Sequence, residues 1–183
     1  HDNEPEGDFA SGDGTQNNPY VIANTTHIQN MSKVLIGKQT TYFVLSADID
    51  MQGIKWTPLN GDGPYEKWII FDGRNHVIRN LTCDSGSYPS FFGVLCGECK
   101  NVGFVDANIS STNQGIGIIA GYVGLNSGAV GFTGKIINCY TTGILKGSGA
   151  AGGIGGIFGA TCPLQTFVNR SVSRYLPVSL NIL

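Results

Sequence analysis

Apolar residues downstream of residue 90 occur in short runs that glycines interrupt. Three such runs are SFFGVLCG (90–97), GIGIIAGYVG (115–124) and GGIGGIFGAT (152–161). From Phe91 to Gly159 no window sustains the hydrophobic period of an α-helix without a helix-breaking glycine. Glycine also supplies the positive φ that tight corners require. The pattern therefore predicts short strands joined by Gly-rich turns.

A second pattern places an asparagine two residues after an apolar residue or a cysteine. It occurs in HVIRNLTC (76–83), ECKNVGF (98–104), KIINCYTTG (135–143) and TFVNRSVSR (166–174), with the asparagines at 80, 101, 138 and 169. Asparagine tolerates the left-handed backbone of a corner, and stacked asparagine amides can bond to one another. Together the two patterns predict a β-solenoid whose coils pair in parallel, so that equivalent residues stack.

The N-terminal part has a different pattern. NPYVI (18–22) predicts a short strand, and TTHIQNMSKVLIG (25–37) predicts a helix with a threonine N-cap and a glycine stop. Ile28, Met31 and Leu35 share one face of this helix, which we expect to cover the open end of the core. TYFVLSADIDM (41–51) predicts a further strand, and a loop follows through residues 56–68.

These elements predict one domain with four parts. Residues 1–8 form a disordered lead-in, 9–40 a strand–helix cap, 41–162 the β-helix repeats, and 163–183 a distorted last coil or C-terminal cap. After Ala160 the glycine framing is lost, and Arg170 stands where an apolar core residue is expected.

Composition points to an exported protein. Charged residues are 13% of the chain, about half the usual ~25%, and its 27 glycines are about double the usual share. The net charge of -2 and the lack of a basic stripe argue against a nucleic-acid partner. No apolar run approaches the ~20 residues of a membrane-spanning helix. Because the chain begins without methionine, we expect a leader to have been removed and the protein to be secreted or on the cell surface.

The residues resemble the GLUG-motif proteins, which are repeat-bearing surface and secreted proteins of gut Bacteroides and some Firmicutes. The resemblance covers residues 9–160 and rests on GTQNNPYVIANTTHIQNMSKVL, YFVLSADIDMQGIKWTPL, FDGRNHVIRNL, GIIAG, GGIFG and INCYTTG. It implies a right-handed parallel β-helix, an exported location and an adhesin-like role. It brings no agreed set of catalytic residues.

The five cysteines, at 83, 96, 99, 139 and 162, are an odd number at irregular spacing and do not indicate a disulfide framework. CGEC (96–99) matches the C-x-x-C motif of redox pairs and half-sites for zinc, but no second pair completes a zinc site. The repeat frame places Cys99 level with Ile78 and Ile136, and Cys139 level with Leu81 and Val102. We therefore predict that both cysteines are small apolar core residues.

The most polar stretch, FDGRNHVIRNL (71–81), allows two interpretations. With the preceding strand it collects the set Asp48, Asp50, Asp72, Arg74, His76 and Arg79. Carboxylates and basic residues on one face of a β-helix suit acid–base catalysis on polysaccharides or Ca²⁺ binding. Asp-Gly is also a turn dipeptide whose carboxylate accepts backbone N–H bonds. Between Asn101 and Asn169 the only charged residues are at 106, 135 and 146, too few for a catalytic groove across several coils.

We therefore predict a binding role rather than catalysis. Candidate contacts are Trp56, Tyr65, Tyr88, Asp72, Arg74 and His76, the aromatic ones because they lie in turn-rich loops where rings could stack on sugars. Acidic residues at 8, 13, 48, 50 and 62 make a Ca²⁺ site possible, although they lack the spacing of a known calcium loop. We predict no other cofactor and no structural metal.

The sequence thus predicts a non-enzymatic exported surface protein. It would be adhesin-like or a structural spacer, with host or bacterial glycans or surface proteins as partners. Two alternatives remain: a polysaccharide lyase or glycoside hydrolase on a β-helix, and an accessory repeat region of a larger secreted peptidase. The enzyme alternative requires the carboxylates, His76 and an arginine to converge in one cleft.

Overall fold

The computed structural model describes residues 8–112, 115–125, 132–147 and 149–158. The predicted lead-in, apart from Asp8, and the predicted C-terminal coil with Asn169 lie outside these residues. Within them the chain is mostly β-structure. The elements are β1 (Tyr20–Ile22), α1 (Thr25–Val34), β2 (Thr40–Leu45), β3 (Ile49–Asp50), β4 (Trp68–Arg79), β5 (Thr82–Cys83), β6 (Phe92–Leu95), β7 (Gly97–Ser110), β8 (Ile116–Gly117), β9 (Ala120–Val123), β10 (Gly134–Ile137), β11 (Tyr140–Lys146), β12 (Ala151–Gly152) and β13 (Gly155–Phe158).

The strands form three sheets, and every pairing between the named strands is parallel. The largest has the order β1-β2-β4-β7-β10, with β3 beside β4 and with β5 and β11 beside β7. The two smaller sheets have the orders β13-β9-β6 and β12-β8. Strands β1 to β5 all belong to the largest sheet, and the chain then alternates between this sheet and the two smaller ones. It returns to the largest sheet at β7, which pairs in parallel with β4, and at β10 and β11, which pair in parallel with β7. The prediction of an all-β class with parallel strands is confirmed.

The core consists of rows of stacked side chains across the parallel strands. One row runs from Phe43 through Phe71 and Cys99 to Ile136, and all four side chains are buried. Another runs from Ile49 through Ile78 to Phe104. Apolar side chains at paired positions of neighbouring parallel strands contact and bury one another along the whole row. The same alternation of inward and outward side chains therefore recurs in each of these strands.

The helix is present, but its ends differ from those predicted. Asn24, not a threonine, is the N-cap, because its side-chain oxygen accepts the His27 N–H at 2.9 Å. The helix ends at Val34, before the predicted glycine stop at residue 37. Ile28 and Met31 are fully buried in the same core as the first strands. The role of α1 as a cap stays a prediction.

The asparagine corners are present, but the predicted register is partly wrong. Asn80, Asn101 and Asn138 all have positive φ, of 59°, 55° and 52°. Only Asn101 and Asn138 stack, with the Asn138 amide donating to Asn101 Oδ1 at 2.9 Å. His76 pairs with Val102 and Arg79 pairs with Val105, so Asn80 lies at a separate corner further along the strands.

The cysteine prediction is confirmed in burial and corrected in register. Cys99 is level with Ile136 as predicted, and level with Phe71 rather than Ile78. The cysteines that the structure describes, at 83, 96, 99 and 139, are buried thiols. Burial raises the pKa of the Cys96 thiol to about 12, and burial also raises the pKa of Cys99.

Candidate functional site

The polar residues of FDGRNHVIRNL lie where strand β4 bulges. The register between β4 and β7 shifts between Asp72 and His76, so that extra residues are accommodated opposite the Asn101 corner. Arg74 and Asn75 take left-handed backbone conformations there, with φ of 48° and 66°, and both are exposed. A bulge of this kind changes the direction of its side chains relative to those of the regularly paired residues in β4 and β7.

Asp72 has the structural task that the Asp-Gly turn predicts. Its Oδ1 accepts the backbone N–H of Arg74 at 2.9 Å and the side-chain amide of Asn101 at 3.1 Å. Because Asn101 in turn accepts the amide of Asn138, the carboxylate is the last member of a row of side-chain bonds that joins β4, β7 and the corner between β10 and β11. This row of bonds fixes the corner.

Asp48 and His76 form a second contact beside the same bulge. Asp48 Oδ1 accepts the Val77 N–H at 3.0 Å, and His76 Nδ1 lies 3.1 Å from the same oxygen. The Val77 N–H holds the pKa of Asp48 below its usual value, with smaller contributions from His76 and from the charge of Arg79. Since an ionised carboxylate only accepts hydrogen bonds, this contact favours the His76 tautomer with its proton on Nδ1 and leaves Nε2 as an acceptor.

Asp50 is engaged separately from the other carboxylates. Its Oδ1 accepts the Asn80 side-chain amide at 2.9 Å and the Gln52 N–H at 3.0 Å. These bonds, the one from Asn80 first, lower the pKa of Asp50. Asp48, Asp50 and Asp72 therefore each have a different set of partners, and each set joins neighbouring segments of the chain. Over the described ranges, no three His, Cys, Asp or Glu side chains are grouped to hold a metal ion.

A cleft of about 150 Å³ lies on the outer side of the bulge. Its lining residues are Asn75, His76, Asn101, Val102, Gly103, Asn138 and Tyr140. Tyr140 is 38% exposed. Of the predicted binding residues, only His76 lines this cleft, while Asp72 supports it through Asn101 and Arg74 lies next to Asn75.

None of the three predicted loop aromatics is fully exposed, and their role in binding stays a prediction. Trp56 was predicted to be exposed, and this is wrong: it is 4% exposed, stacks on Phe91 at 4.8 Å and donates its Nε1–H to the Phe91 carbonyl at 2.9 Å. Tyr65 and Tyr88 are half-buried and contact each other edge to face at 6.1 Å. Their rings pack against one another rather than standing free.

Tyr140 was missed by the sequence reasoning, although a signal was present. Cys139 was predicted to point into the core, and successive side chains of a strand point to opposite faces. The residue after a buried Cys139 must therefore face outward. In the sequence this aromatic side chain follows an asparagine corner by two residues, but no spacing in the sequence shows that it lies beside His76.

Comparison with known proteins gives one strong structural match. A crystal structure from Bacteroides ovatus, described as a "putative immunoglobulin A1 protease", is 52% identical, with a TM-score of 0.87. The match covers 92% of this chain and 51% of the solved chain, so this chain spans about half the length of that one. No protein-family model matches the chain, and the GLUG resemblance therefore stays a prediction.

Two curated proteins match more distantly. A "Putative Gly-rich membrane protein" of Evansella cellulosilytica is 30% identical over an alignment of 138 residues, and the match covers 56% of this chain and 15% of that protein. Halomucin of Haloquadratum walsbyi is 27% identical over an alignment of 159 residues, and the match covers 79% of this chain and 2% of that protein. The chain thus spans a small part of each. In the described part of the chain no helix has the length and apolar character needed to cross a membrane.

Proposed function

We propose that this chain is a non-catalytic accessory domain of a larger exported protein, in which a right-handed parallel β-helix carries a ligand-binding surface. The observation that carries the proposal is the match to the Bacteroides ovatus protein, which spans nearly all of this chain and only half of that one. A conserved architecture that occupies half of a longer chain suits an accessory role beside another unit, such as a peptidase.

The sheet topology supports a β-helix. Strands return to the same sheet only as parallel neighbours, and the row from Phe43 to Ile136 keeps equivalent side chains at equivalent heights. Connections between parallel strands of one sheet are right-handed in nearly all proteins. A solenoid built in this way is stiff along its axis and presents long rows of side chains, which suits a spacer or a binding surface.

The hydrogen bonds of the polar stretch support a non-catalytic role. Asp72 and Asp50 are used to fix corners through Asn101 and Asn80. A glycoside-hydrolase site needs two carboxyl groups that face one substrate, one of them with its pKa raised so that it can donate a proton. Here the pKa values of Asp48 and Asp50 are both lowered.

An adhesin-like role in binding glycans or surface proteins is the second candidate, and it is compatible with the first. The observation that favours it is the cleft beside His76, where an exposed tyrosine and amide side chains meet on the outer face of the domain. A lyase or hydrolase would use the same neighbourhood, where His76 Nδ1 and Asp48 Oδ1 lie 3.1 Å apart as an acid–base pair.

The test is to incubate the purified 183-residue chain with a panel of plant, mucin and bacterial polysaccharides and with immunoglobulin A1. We expect no change in chain length of any of them, by reducing-end assay, by absorbance of unsaturated products and by gel. Turnover that disappears in both Asp48→Asn and His76→Gln would overturn the proposal and establish an enzyme. Turnover that survives both substitutions would also overturn it, and would place the catalytic residues elsewhere.

A further inference from the structure

The ring of Tyr140 lies on the outer face of the sheet, over a glycine of the neighbouring strand. It begins β11 and pairs with Gly103 of β7, whose missing side chain makes room for the ring. A Cβ built on Gly103 would come within 2.2 Å of Tyr140 Cζ. The phenol end of the ring therefore lies directly against the backbone of β7, while more than a third of the residue stays exposed. The ring is held in place and still offers surface to a ligand.

Polar groups with unused hydrogen-bonding capacity surround this ring. Among the described residues, the exposed side chain of Asn75 has no hydrogen-bond partner, and Asn138 donates to Asn101 while its own Oδ1 has none. His76 is held by Asp48 through Nδ1, so Nε2 is left over. Amides offer both donors and acceptors, and a neutral imidazole nitrogen offers an acceptor.

The chemistry of this lining selects a class of ligand. A fixed aromatic ring suits the C–H face of a saturated ring, and amide and imidazole groups around it suit hydroxyls. No residue with a permanent charge lines the cleft, so a neutral ligand fits better than an anionic one. At about 150 Å³ the cleft is smaller than the ~300–1,000 Å³ sites of drug-sized ligands, and it has room for one ring.

We propose that the cleft formed by Tyr140, Asn75, His76 and Asn138 binds a single neutral pyranose ring, such as the terminal residue of a glycan. The pyranose stacks on Tyr140, and its hydroxyls bond to Asn75, Asn138 and His76 Nε2. This inference rests on the proposed function, because the ligand is bound and not cleaved. The competing explanation is structural: an aromatic ring over a strand glycine shields the backbone and stabilises the sheet without any ligand.

The first measurement is an NMR titration of the isotope-labelled chain with methyl β-D-galactopyranoside, methyl α-D-mannopyranoside and N-acetyl-D-glucosamine as separate probes. We expect saturable shifts of the side-chain amides of Asn75 and Asn138 with at least one probe, with a dissociation constant in the millimolar range. D-glucuronate serves as the charged comparison and should bind more weakly than the neutral probes. No saturable shift with any neutral probe, or tighter binding of glucuronate, would overturn the inference.

Variants separate recognition from sheet stabilisation. Tyr140→Ala should weaken binding by about tenfold or more, since truncating a central aromatic contact typically has an effect of that size. Ile144→Ala is the matched control, because Ile144 lies on the same strand and is 39% exposed; it should leave affinity unchanged. Equal affinity in the wild type and Tyr140→Ala would assign the ring to shielding Gly103 alone.

Gly103→Ala provides a second variant in case Tyr140→Ala does not fold. The added methyl must displace the Tyr140 ring from its seat while every side chain of the cleft is kept. We expect binding to fall as in Tyr140→Ala, with circular dichroism confirming the fold. Wild-type shifts that map to Tyr65 and Tyr88 would overturn this site while the proposed binding role stands. Cleavage of a polysaccharide would instead overturn the proposed function.

Discussion

Trp56 and Tyr140 are two aromatic residues that differ in solvent exposure in the opposite sense to what their secondary structure suggests. Trp56 belongs to the long connection between β3 and β4, yet it is almost completely buried against Phe91. Tyr140 begins strand β11, which pairs with β7 in the largest sheet, yet the residue is 38% exposed. Exposure therefore does not follow from whether a residue lies in a strand or in a loop.

The connection that contains Trp56 pairs with later segments of the chain and packs around the same core. Lys55 forms an isolated parallel bridge with Thr82, and Leu59 forms one with Phe92. These bridges hold the segment in register with the strands that follow it, so that Trp56 and Leu59 point inward as strand residues would. A side chain is buried when it points from the backbone into the core, whether that backbone lies in a strand or in a connection.

The largest effect that tests this comparison is expected for Trp56→Ala. The substitution removes the stacked ring and one of the two hydrogen bonds that the Phe91 carbonyl accepts, the other coming from the Leu59 N–H. The cavity left by the ring should cost about 3–5 kcal/mol of unfolding free energy. Tyr140→Ala, the outward counterpart, should cost about 1 kcal/mol or less. Chemical denaturation of both variants checks the comparison, and costs of similar size would contradict it.

An intermediate effect is expected at the corner that supports the cleft. Asn101→Ala places alanine at a φ of 55° and removes the bonds to Asp72 and Asn138, for an expected loss of about 2–3 kcal/mol. Asn75→Ala is the matched control, because its φ of 66° is also left-handed but its side chain makes no hydrogen bond among the described residues. It should cost about 1 kcal/mol. Equal losses in denaturation would show that this row of side-chain bonds adds no stability.

The smallest effect is expected from Asp48, which lies on the outer side. Because folding lowers its pKa, its contribution to stability is present above the usual carboxyl range and is lost as the pH falls through the lowered value, below about pH 4. Its side chain is 58% exposed, so Asp48→Asn should cost about 0.5 kcal/mol at pH 7.

Thermal unfolding between neutral and acidic pH checks this prediction. Asp48→Asn should show a weaker loss of stability on acidification than the wild type, while Asp62→Asn, at an exposed loop residue, serves as the control. If Asp48→Asn loses as much stability on acidification as the wild type, the charge of Asp48 and its bond from Val77 do not contribute to stability.

Much of the fold could be predicted from the sequence because it depends on local preferences. Glycine-interrupted apolar runs predicted short strands, and the structure places β6, β8, β9 and β13 in them. Asn80, Asn101 and Asn138 were predicted at corners because asparagine tolerates left-handed backbone, and all three have positive φ. The turn role of Asp72 followed from the Asp-Gly dipeptide.

The register between strands could not be predicted in the same way. The motif aligned Asn80 with Asn101, whereas the structure aligns Asn101 with the Asp72–His76 bulge. The loops between successive strands differ in length, and a repeat motif does not show where a bulge absorbs the extra residues. Only the packing of complete rows, such as Phe43, Phe71 and Cys99, selects one register.

The sequence by itself determined the class of fold, the positions of the corners and the inward direction of residues such as Cys139, because these depend on dihedral preference and on the two-residue period of a strand. Tertiary structure decided that Trp56 is buried and that Tyr140 lies beside Asn75 and His76. Those contacts join residues far apart in the chain, and they exist only once neighbouring strands have paired and Gly103 has left room for the ring.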